Sequence, residues 1–443
     1  MSNTVQYTDM KDSGIKWIGS VPASWNVRTL YQLATRVNNK NTDLSEQNLL
    51  SLSYGKIKRK DINTNDGLLP ASFDGYNIIE AGDIVLRLTD LQNDHTSLRV
   101  GHATERGIIT SAYTTLRPIN PAHSRYLYYL IHAFDLKKGF YGMGSGVRQG
   151  LNYDEVKELR VVVPSQEEQD AIVAFLDDEC TQIDAFISEC KDTVDEYFSW
   201  KKSLIFELVT SLGKNREYIS NPSIPWVKKY PAEWRVLPIK RVVLSRDGGA
   251  WGNEKANNEN DRICMRIADF AFEQGRFKNG DLSMFTVRNY SESQLEKLTL
   301  KTGDILIEKS GGGEKNPVGR SVLFDLPINA LFANFMDRLT IDTDIIMPEY
   351  FEYYWRAMYF KAVTVAYIKQ TIGIQNLNLS GLLESEYILI PKMNEQMQIV
   401  RQLDTLGMQI DILISQKKEV MEDVEKYKRS LIYETVTGKR KVV

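Results

Sequence analysis

At 443 residues the chain is too long for one ordinary domain and suggests roughly two to four. Its 55 basic and 58 acidic side chains leave a net charge of −3, which argues against a histone-like or tail-driven nucleic-acid binder. Three cysteines without CxxC or Cys/His spacing argue against a disulfide frame or a zinc site, and no run of about 18 apolar residues is present to span a membrane.

The segment Met1 to Tyr7 has neither a basic nor an apolar signal region, so a cytoplasmic protein is expected. Charge is placed unevenly along the chain. Residues 1–164 carry a net +3, 165–212 carry −9, 213–391 carry +1 and 392–443 carry +2. The acidity therefore sits in one helix-like tract. The two large segments are slightly basic, which suits a phosphate-facing surface if their cations cluster.

In chain order, Trp17-Ile18 and Pro22-Ala23-Ser24-Trp25 open the sequence, followed by a strand-like Leu50-Ser51-Leu52-Ser53-Tyr54. A basic loop follows, with Lys56, Lys58, Arg59 and Lys60 as candidate phosphate or base contacts. Strands are expected at Ile78-Ile79, Ile84-Val85-Leu86 and Val161-Val162-Val163, with a Tyr-rich helix from Ser124 to His132. Between that helix and the last strand lies a small, flexible loop tipped by Ser145, Arg148 and Gln149. A proline-free tract then runs from Pro164 to Thr210. The second half repeats this order. Strands are expected at Ile305-Leu306-Ile307, Val322-Leu323-Phe324 and Ile388-Leu389-Ile390, and a helix from Glu349 to Phe360. Its candidate contacts are Ser310, Gly311, Gly312, Lys315 and Arg320 in a glycine-rich loop, with Gln370, Gln375 and Asn376 in the counterpart of the Arg148–Gln149 loop. Arginine pairs with guanine edges and Gln or Asn with adenine edges, while glycines let backbone amides approach phosphates.

The two halves are copies of one unit. Trp17 and Trp25 match Trp226 and Trp234 at an offset of 209; Gly82-Asp83 matches Gly303-Asp304; Gln149, Leu151 and Asn152 match Gln375, Leu377 and Asn378. Pro164 to Thr210 matches Pro391 to Thr437 at a fixed offset of 227. Leading segments and helical tracts agree well between copies, whereas the globular interiors agree poorly.

Ser165-Gln166-Glu167-Glu168 reads as a capping box at the first helix start; Asn394 is the candidate cap of the second, and Gly213 and Gly438 mark the stops. Heptad sets run through Ile172, Glu179, Phe186, Thr193 and Trp200, and through Leu176, Ile183, Cys190, Tyr197 and Leu204. The second tract carries Ile399, Leu406, Leu413, Val420 and Tyr427, with Leu403, Ile410, Lys417, Val424 and Leu431. A helix of about 46 residues is ~70 Å long, and such a stripe does not stay solvated. The two helices are expected to pair as an antiparallel coiled coil with approximate twofold symmetry, held through Leu176, Ile183, Phe186, Leu204, Leu403, Ile410, Leu413 and Leu431. The bland alternative is that each helix packs on its own globular part.

Catalytic signatures are missing. The glycine run after Asp304-Ile305-Leu306-Ile307 fails as a P-loop, because five residues separate Gly313 from Gly319 and Arg320-Ser321 stands where Lys-Ser/Thr is needed. His95, His102, His123 and His132 lack metal spacing. Glu155-Val156-Lys157 is a nuclease-like fragment without an acidic strand partner, and no Asn/Asp-Pro-Pro-Tyr/Phe motif of adenine methyltransferases occurs.

Lys11-Asp12-Ser13-Gly14-Ile15-Lys16-Trp17-Ile18-Gly19, Pro164-Ser165-Gln166-Glu167-Glu168-Gln169 and the tail Lys428 to Gly438 together resemble the specificity subunits of type I restriction–modification systems. The resemblance runs the length of the chain. It implies mixed α/β target recognition domains at 1–164 and 214–391, and spacer helices at 165–213 and 392–443. It implies that each domain reads one half of a bipartite site in double-stranded DNA. The paired helices would set the spacer and dock two methyltransferase subunits, through which restriction/translocase subunits join. This chain would bind no cofactor and do no chemistry; S-adenosylmethionine, ATP and Mg would sit on the partners. Two other classes stand beside this one: a self-contained DNA enzyme, and a coiled-coil interaction protein that does not bind DNA.

Overall fold

The computed structural model describes residues 6–63, 70–143, 150–211, 216–278, 282–371 and 373–442. It divides into two compact units, Met1–Cys190 with Glu419–Val443, and Lys191–Lys418. Each unit contains one globular part, a stretch of the helix Gln166–Thr210 and a stretch of the helix Met393–Val436.

The globular parts share one framework. In the first, four antiparallel strands lie in the order Ala34–Arg36, Thr114–Pro118, Ile84–Leu86, Val100–His102. In the second the order is Val243–Gly248, Met336–Ile341, Ile305–Glu308, Ser321–Leu323. The registers correspond: Leu116 faces Arg36 and Ile84, and Leu339 faces Arg246 and Ile305. The inner strands Ile84–Leu86 and Ile305–Glu308 are buried at every position, which is why they read as unbroken apolar runs. Ser124–Leu136 packs on Val100–His102, and Pro348–Phe360 on Ser321–Leu323. A leading strand closes each part by pairing with its last: Asn26–Thr29 with Arg160–Val163, and Arg235–Pro238 with Tyr387–Ile390.

Matching anchors tie each globular part to the helices of its own unit. Trp25 Nε1 donates to Glu168 at 2.9 Å, and Trp234 Nε1 to Glu395 at 3.1 Å. The Tyr126 hydroxyl donates to the carbonyls of Val162 and Val436; the Tyr350 hydroxyl donates to those of Leu389 and Val209. Gln169 and Gln396 each donate to the proline carbonyl five residues back, at 3.0 Å. These bonds bring the end of one long helix beside the start of the other, so the helices run antiparallel within each unit.

The helix seam is displaced by one residue from half of the sequence expectation. Buried positions are Cys180, Ile183, Ile187, Cys190, Val194 and Lys201 on the first helix, and Leu403, Gly407, Ile410 and Ile414 on the second. Leu176 and Leu431 are buried as expected and Leu204 is half-buried. Phe186, Trp200, Leu413, Val420 and Tyr427 are instead exposed. The reason is that polar and small residues hold seam positions. Lys428 Nζ donates to Asp184 at 2.6 Å in the first unit, and Lys201 Nζ to Asp411 at 2.6 Å in the second. These two ion pairs are one feature repeated at the offset of 227.

Ser165 Oγ accepts from the Glu168 amide at 3.3 Å, as a cap should. The second helix starts at Met393, which puts Asn394 inside its first turn and rules it out as the cap. Gly438 (φ +70°) follows the second helix in the left-handed conformation expected of a stop; Gly213 lies outside the described residues.

Candidate nucleic-acid interface

The Gly-Asp signature sets up the same turn twice. Gly82 and Gly303 adopt φ +94° and +96°, and the buried Asp83 and Asp304 carboxylates accept the amides of Glu80 and Lys301, each at 2.8 Å. The strand that follows each turn leads into a connecting loop, residues 87–98 in the first unit and 309–319 in the second, the latter starting with a short strand, Ser310–Gly311, paired with Ile374–Leu377. These loops connect equivalent neighbouring strands of the two sheets.

Arg99 and Arg320 end the two loops at equivalent places, each directly before the returning strand. Arg99 is wholly buried. Its guanidinium donates to the carbonyls of Thr89 at 2.5 Å, Asp90 at 3.2 Å and Asp94, and to the Tyr141 hydroxyl at 3.3 Å. Its amide donates to Asp135 at 2.6 Å. Burial pushes the Asp135 carboxyl up to about 6. Within the loop, the Ser97 amide and hydroxyl hold the Asp94 carboxyl well below the usual range. Leu88 and Leu91 are buried beneath the loop, leaving Thr89, Asp90, Gln92, Asn93, His95 and Thr96 exposed on top.

Arg320 is anchored beside its loop rather than within it. It makes a two-pronged pair with the buried Glu308 at 2.7 and 3.0 Å, and its guanidinium lies 3.7 Å above the Phe272 ring. Trp355 Nε1 donates to the Gly319 carbonyl at 2.8 Å and the Tyr359 hydroxyl to that of Pro317 at 3.0 Å. Gly312 (φ +61°) passes so close that a Cβ would meet the Val318 amide at 2.8 Å. Ser310 and Gly311 are half-buried, while Gly312, Glu314, Lys315 and Asn316 are exposed.

Several of the expected contacts have partners within the protein. Arg320 is committed to Glu308 beneath the loop. Gln375 is buried in the strand Ile374–Leu377, where its side chain accepts from the Val318 amide at 3.2 Å. Strand alternation explains it: Gln375 and Leu377 face inward, Ile374 and Asn376 outward. Gln370 and Asn376 are exposed on paired strands, and Ser310 Oγ donates to Asn376 Oδ1 at 2.6 Å. Lys56, Lys58 and Arg59 form one strand of a hairpin with Leu50–Ser53, and all three are exposed, as is Lys60. Arg59 is paired with Glu105, and Lys56 lies 3.7 Å from Asp184. Ser145, Arg148 and Gln149 lie outside the described residues.

Two arginines that pattern reading missed stand at matching positions on the first strands of the sheets. Arg36 and Arg246 are both exposed, opposite Leu116 and Leu339. Arg246 shares the buried Asp337 carboxylate with Lys309, both at 2.6 Å, and also donates to Ser380 Oγ. With Lys369, Ser310 and Asn376 this makes a donor-rich patch whose central carboxylate is already engaged twice. Strand register, which interior sequence comparison did not supply, is the signal that would have found them.

Among the described residues no cluster of His, Cys, Asp or Glu is arranged to hold a metal ion, and no helix is long and apolar enough to cross a membrane. His102 and His132 are pushed down to about 4 by burial. The arrangement is one of rigidly held polar loops and cations.

A family model described as "Type I restriction modification DNA specificity domain" matches residues 22–188 and again 231–422. The chain is 24% identical over 402 residues to the type I restriction enzyme MjaVIII specificity subunit of Methanocaldococcus jannaschii, covering 89% of this chain and 84% of that protein. It is 24% identical over 212 residues to the type I restriction enzyme EcoKI specificity subunit of Escherichia coli K12, covering 48% of this chain and 44% of that one. A solved structure titled "Structural basis underlying complex assembly and conformational transition of the type I R-M system" shares the fold, with a TM-score of 0.66 at 13% identity, covering 94% of this chain and 98% of that chain.

Proposed function

Because the chain belongs to the type I restriction–modification DNA specificity family, we propose that it reads an interrupted DNA target, one half per globular part, on behalf of methyltransferase and restriction subunits. The observation that carries the reading is the pairing of sameness with difference. The same sheet order, register, Gly-Asp turn, Trp–Glu anchor and closing arginine recur in both units, while the loops between them differ in sequence and in length. One recognition frame loaded with two contents suits a target whose halves are unlike. Base edges in the major groove distinguish all four pairs, so a change of loop side chains changes the half-site.

The helices support the partner side of the proposal. Phe186 and Leu413 correspond at the offset of 227, as do Trp200 and Tyr427, and all four are exposed. Large apolar side chains left in water at repeated positions fit a surface that a partner covers, and repetition fits two copies of one partner. Methyl transfer, with its S-adenosylmethionine, and ATP- and Mg-dependent translocation and cleavage then belong to those subunits. On this reading the chain is a reader with no chemistry of its own. A cytoplasmic setting follows from its task, and Cys180, Cys190 and Cys264 are free thiols.

Sequencing the methylome of a host that carries this chain with its methyltransferase tests the proposal. Adenine methylation at an interrupted motif that vanishes when the chain is deleted is the expected result. A continuous motif, or a motif indifferent to the deletion, overturns it. Failure of the partnered chain to retain duplex DNA would favour an interaction protein instead.

A further inference from the structure

We infer that residues 87–98 and 309–319 are the base-reading loops of the two units, with Arg99 as the positioning residue that locks the first and Trp355, Tyr359 and Gln375 holding the second. This rests on the DNA-reading proposal and assigns its specificity to particular side chains.

Three observations carry it. First, the loops occupy the same place in equivalent sheets, following the duplicated Gly-Asp strand, yet their sequences share nothing beyond the closing arginine. Second, that arginine is a costly thing to bury. Arg99 is wholly buried and donates to backbone carbonyls of its own loop; the nearest carboxylate, Asp94, is 3.7 Å away. A buried cation held mainly by carbonyls is a poor stabiliser compared with an apolar residue of similar size. What it does achieve is to fix Thr89, Asp90 and Asp94 relative to one another. In the second unit the closing Arg320 is itself fixed by Glu308 and Phe272, and the loop is held by other groups: Trp355 on the Gly319 carbonyl, Tyr359 on that of Pro317, and Gln375 on the Val318 amide. Third, the locked loops expose side chains suited to base edges. The first shows Gln92 beside Asn93, whose amide nitrogen donates to Asp90 at 2.8 Å, then His95, its ring hydrogen-bonded to the Gln92 carbonyl at 2.9 Å, and Thr96; the second shows Lys315 and Asn316. Gln and Asn pair two-fold with adenine, and Lys donates to guanine. Base reading needs side chains held to within about half an ångström, which a rigid loop supplies without an ordering cost on binding.

The test uses the full chain assembled with its methyltransferase, read by the methylated motif and by thermal unfolding. The double variant Gln92→Ala/Asn93→Ala is expected to keep its unfolding midpoint and its assembly. It should relax one or two positions of one half-site, with discrimination there falling about tenfold or more, and leave the other half untouched. Lys315→Ala/Asn316→Ala should do the same to the other half. Arg99→Lys separates positioning from mere stability. Discrimination in the first half-site should fall while affinity for unrelated duplex, and its salt dependence, stay unchanged. If both double variants methylate the unaltered motif, the loops are not the readers and the inference is overturned, although the wild-type interrupted motif would still uphold the DNA-reading proposal. A wild-type complex without an interrupted motif overturns both.

Discussion

The duplicated ion pair of the helix seam offers a test in which the same Lys–Asp pair stands in two settings, one more buried and one whose carboxylate also has Lys56 at 3.7 Å. Lys201 donates to both oxygens of Asp411, at 2.6 and 2.8 Å, and its side chain is 7% exposed. Its counterpart Lys428, 23% exposed, donates to Asp184, which is 44% exposed. Asp411→Ala leaves an ammonium buried without its carboxylate, a loss in the range of about 3–5 kcal/mol. Asp411 is itself 24% exposed, so water reaches the vacated space and the lower end, about 3 kcal/mol, applies. Asp184→Ala releases Lys428 towards solvent and should cost no more than about 1 kcal/mol. For a unit of this size that corresponds to midpoint losses of about 6–12 °C against about 2–4 °C.

Burial already lowers the Lys201 pKa, and the Asp411 hydrogen bond opposes that shift. Without Asp411 it drops further. A folded pKa below the unfolded value of 10.5 means that the unfolded chain binds more protons between the two, so stability rises with pH there. The Asp411→Ala deficit should therefore shrink from pH 7 to pH 10, and Lys201→Met/Asp411→Leu should recover most of it. Thermal unfolding of the full-length variants across that pH range decides the matter. Equal losses at the two pairs, or a deficit that grows with pH, would refute the reasoning.

Three further outcomes are expected. Gly438→Ala should cost about 2–4 kcal/mol, because its φ of +70° disfavours a side chain and a Cβ would stand 2.3 Å from Pro22 Cδ; Gly19→Ala, at φ +74° with nothing within 4 Å, should cost about 1 kcal/mol in the same denaturant titration. Asp135 has its folded pKa raised to about 6 from 3.8, so its contribution to stability is full below about pH 4 and is lost as pH rises through 6; Asp135→Asn should flatten the wild-type decline across that window in pH-resolved unfolding. Trp200→Glu/Tyr427→Glu should leave the isolated chain within about 0.5 kcal/mol of wild type, since both rings are exposed, and should weaken co-purification of the methyltransferase.

Much of the architecture was legible because it is written twice. The matching of Trp25 with Trp234, and of Pro164–Thr210 with Pro391–Thr437, announced two units and two long helices, and unbroken runs such as Ile305-Leu306-Ile307 announced buried strands. The seam was half-legible. Leu176, Ile183, Leu403 and Ile410 sit where the heptads placed them, but Phe186 and Leu413 are exposed because Ile187 and Ile414 take the seam, next to Lys201, Gly407 and Lys428. Hydrophobic periodicity cannot see a seam position held by a paired lysine or a glycine. The candidate interface was the least legible part. Arg320 reads as a free cation until Glu308, twelve residues back, is folded against it. Gln375 reads as a loop tip until strand alternation turns it inward. In loop 87–98 the sequence shows a departure, Arg87-Leu88-Thr89-Asp90 in place of a glycine run, but not its rigidity, which comes from a buried arginine at the far end.

The central claim is that one frame is used twice to read two unlike half-sites. Its most direct test exchanges residues 216–391 for the corresponding part of a relative with a known motif and determines the methylated motif of the assembled hybrid. One half of the motif should become the relative's, with the other half unchanged. A hybrid in which both halves change, or neither does, would contradict it.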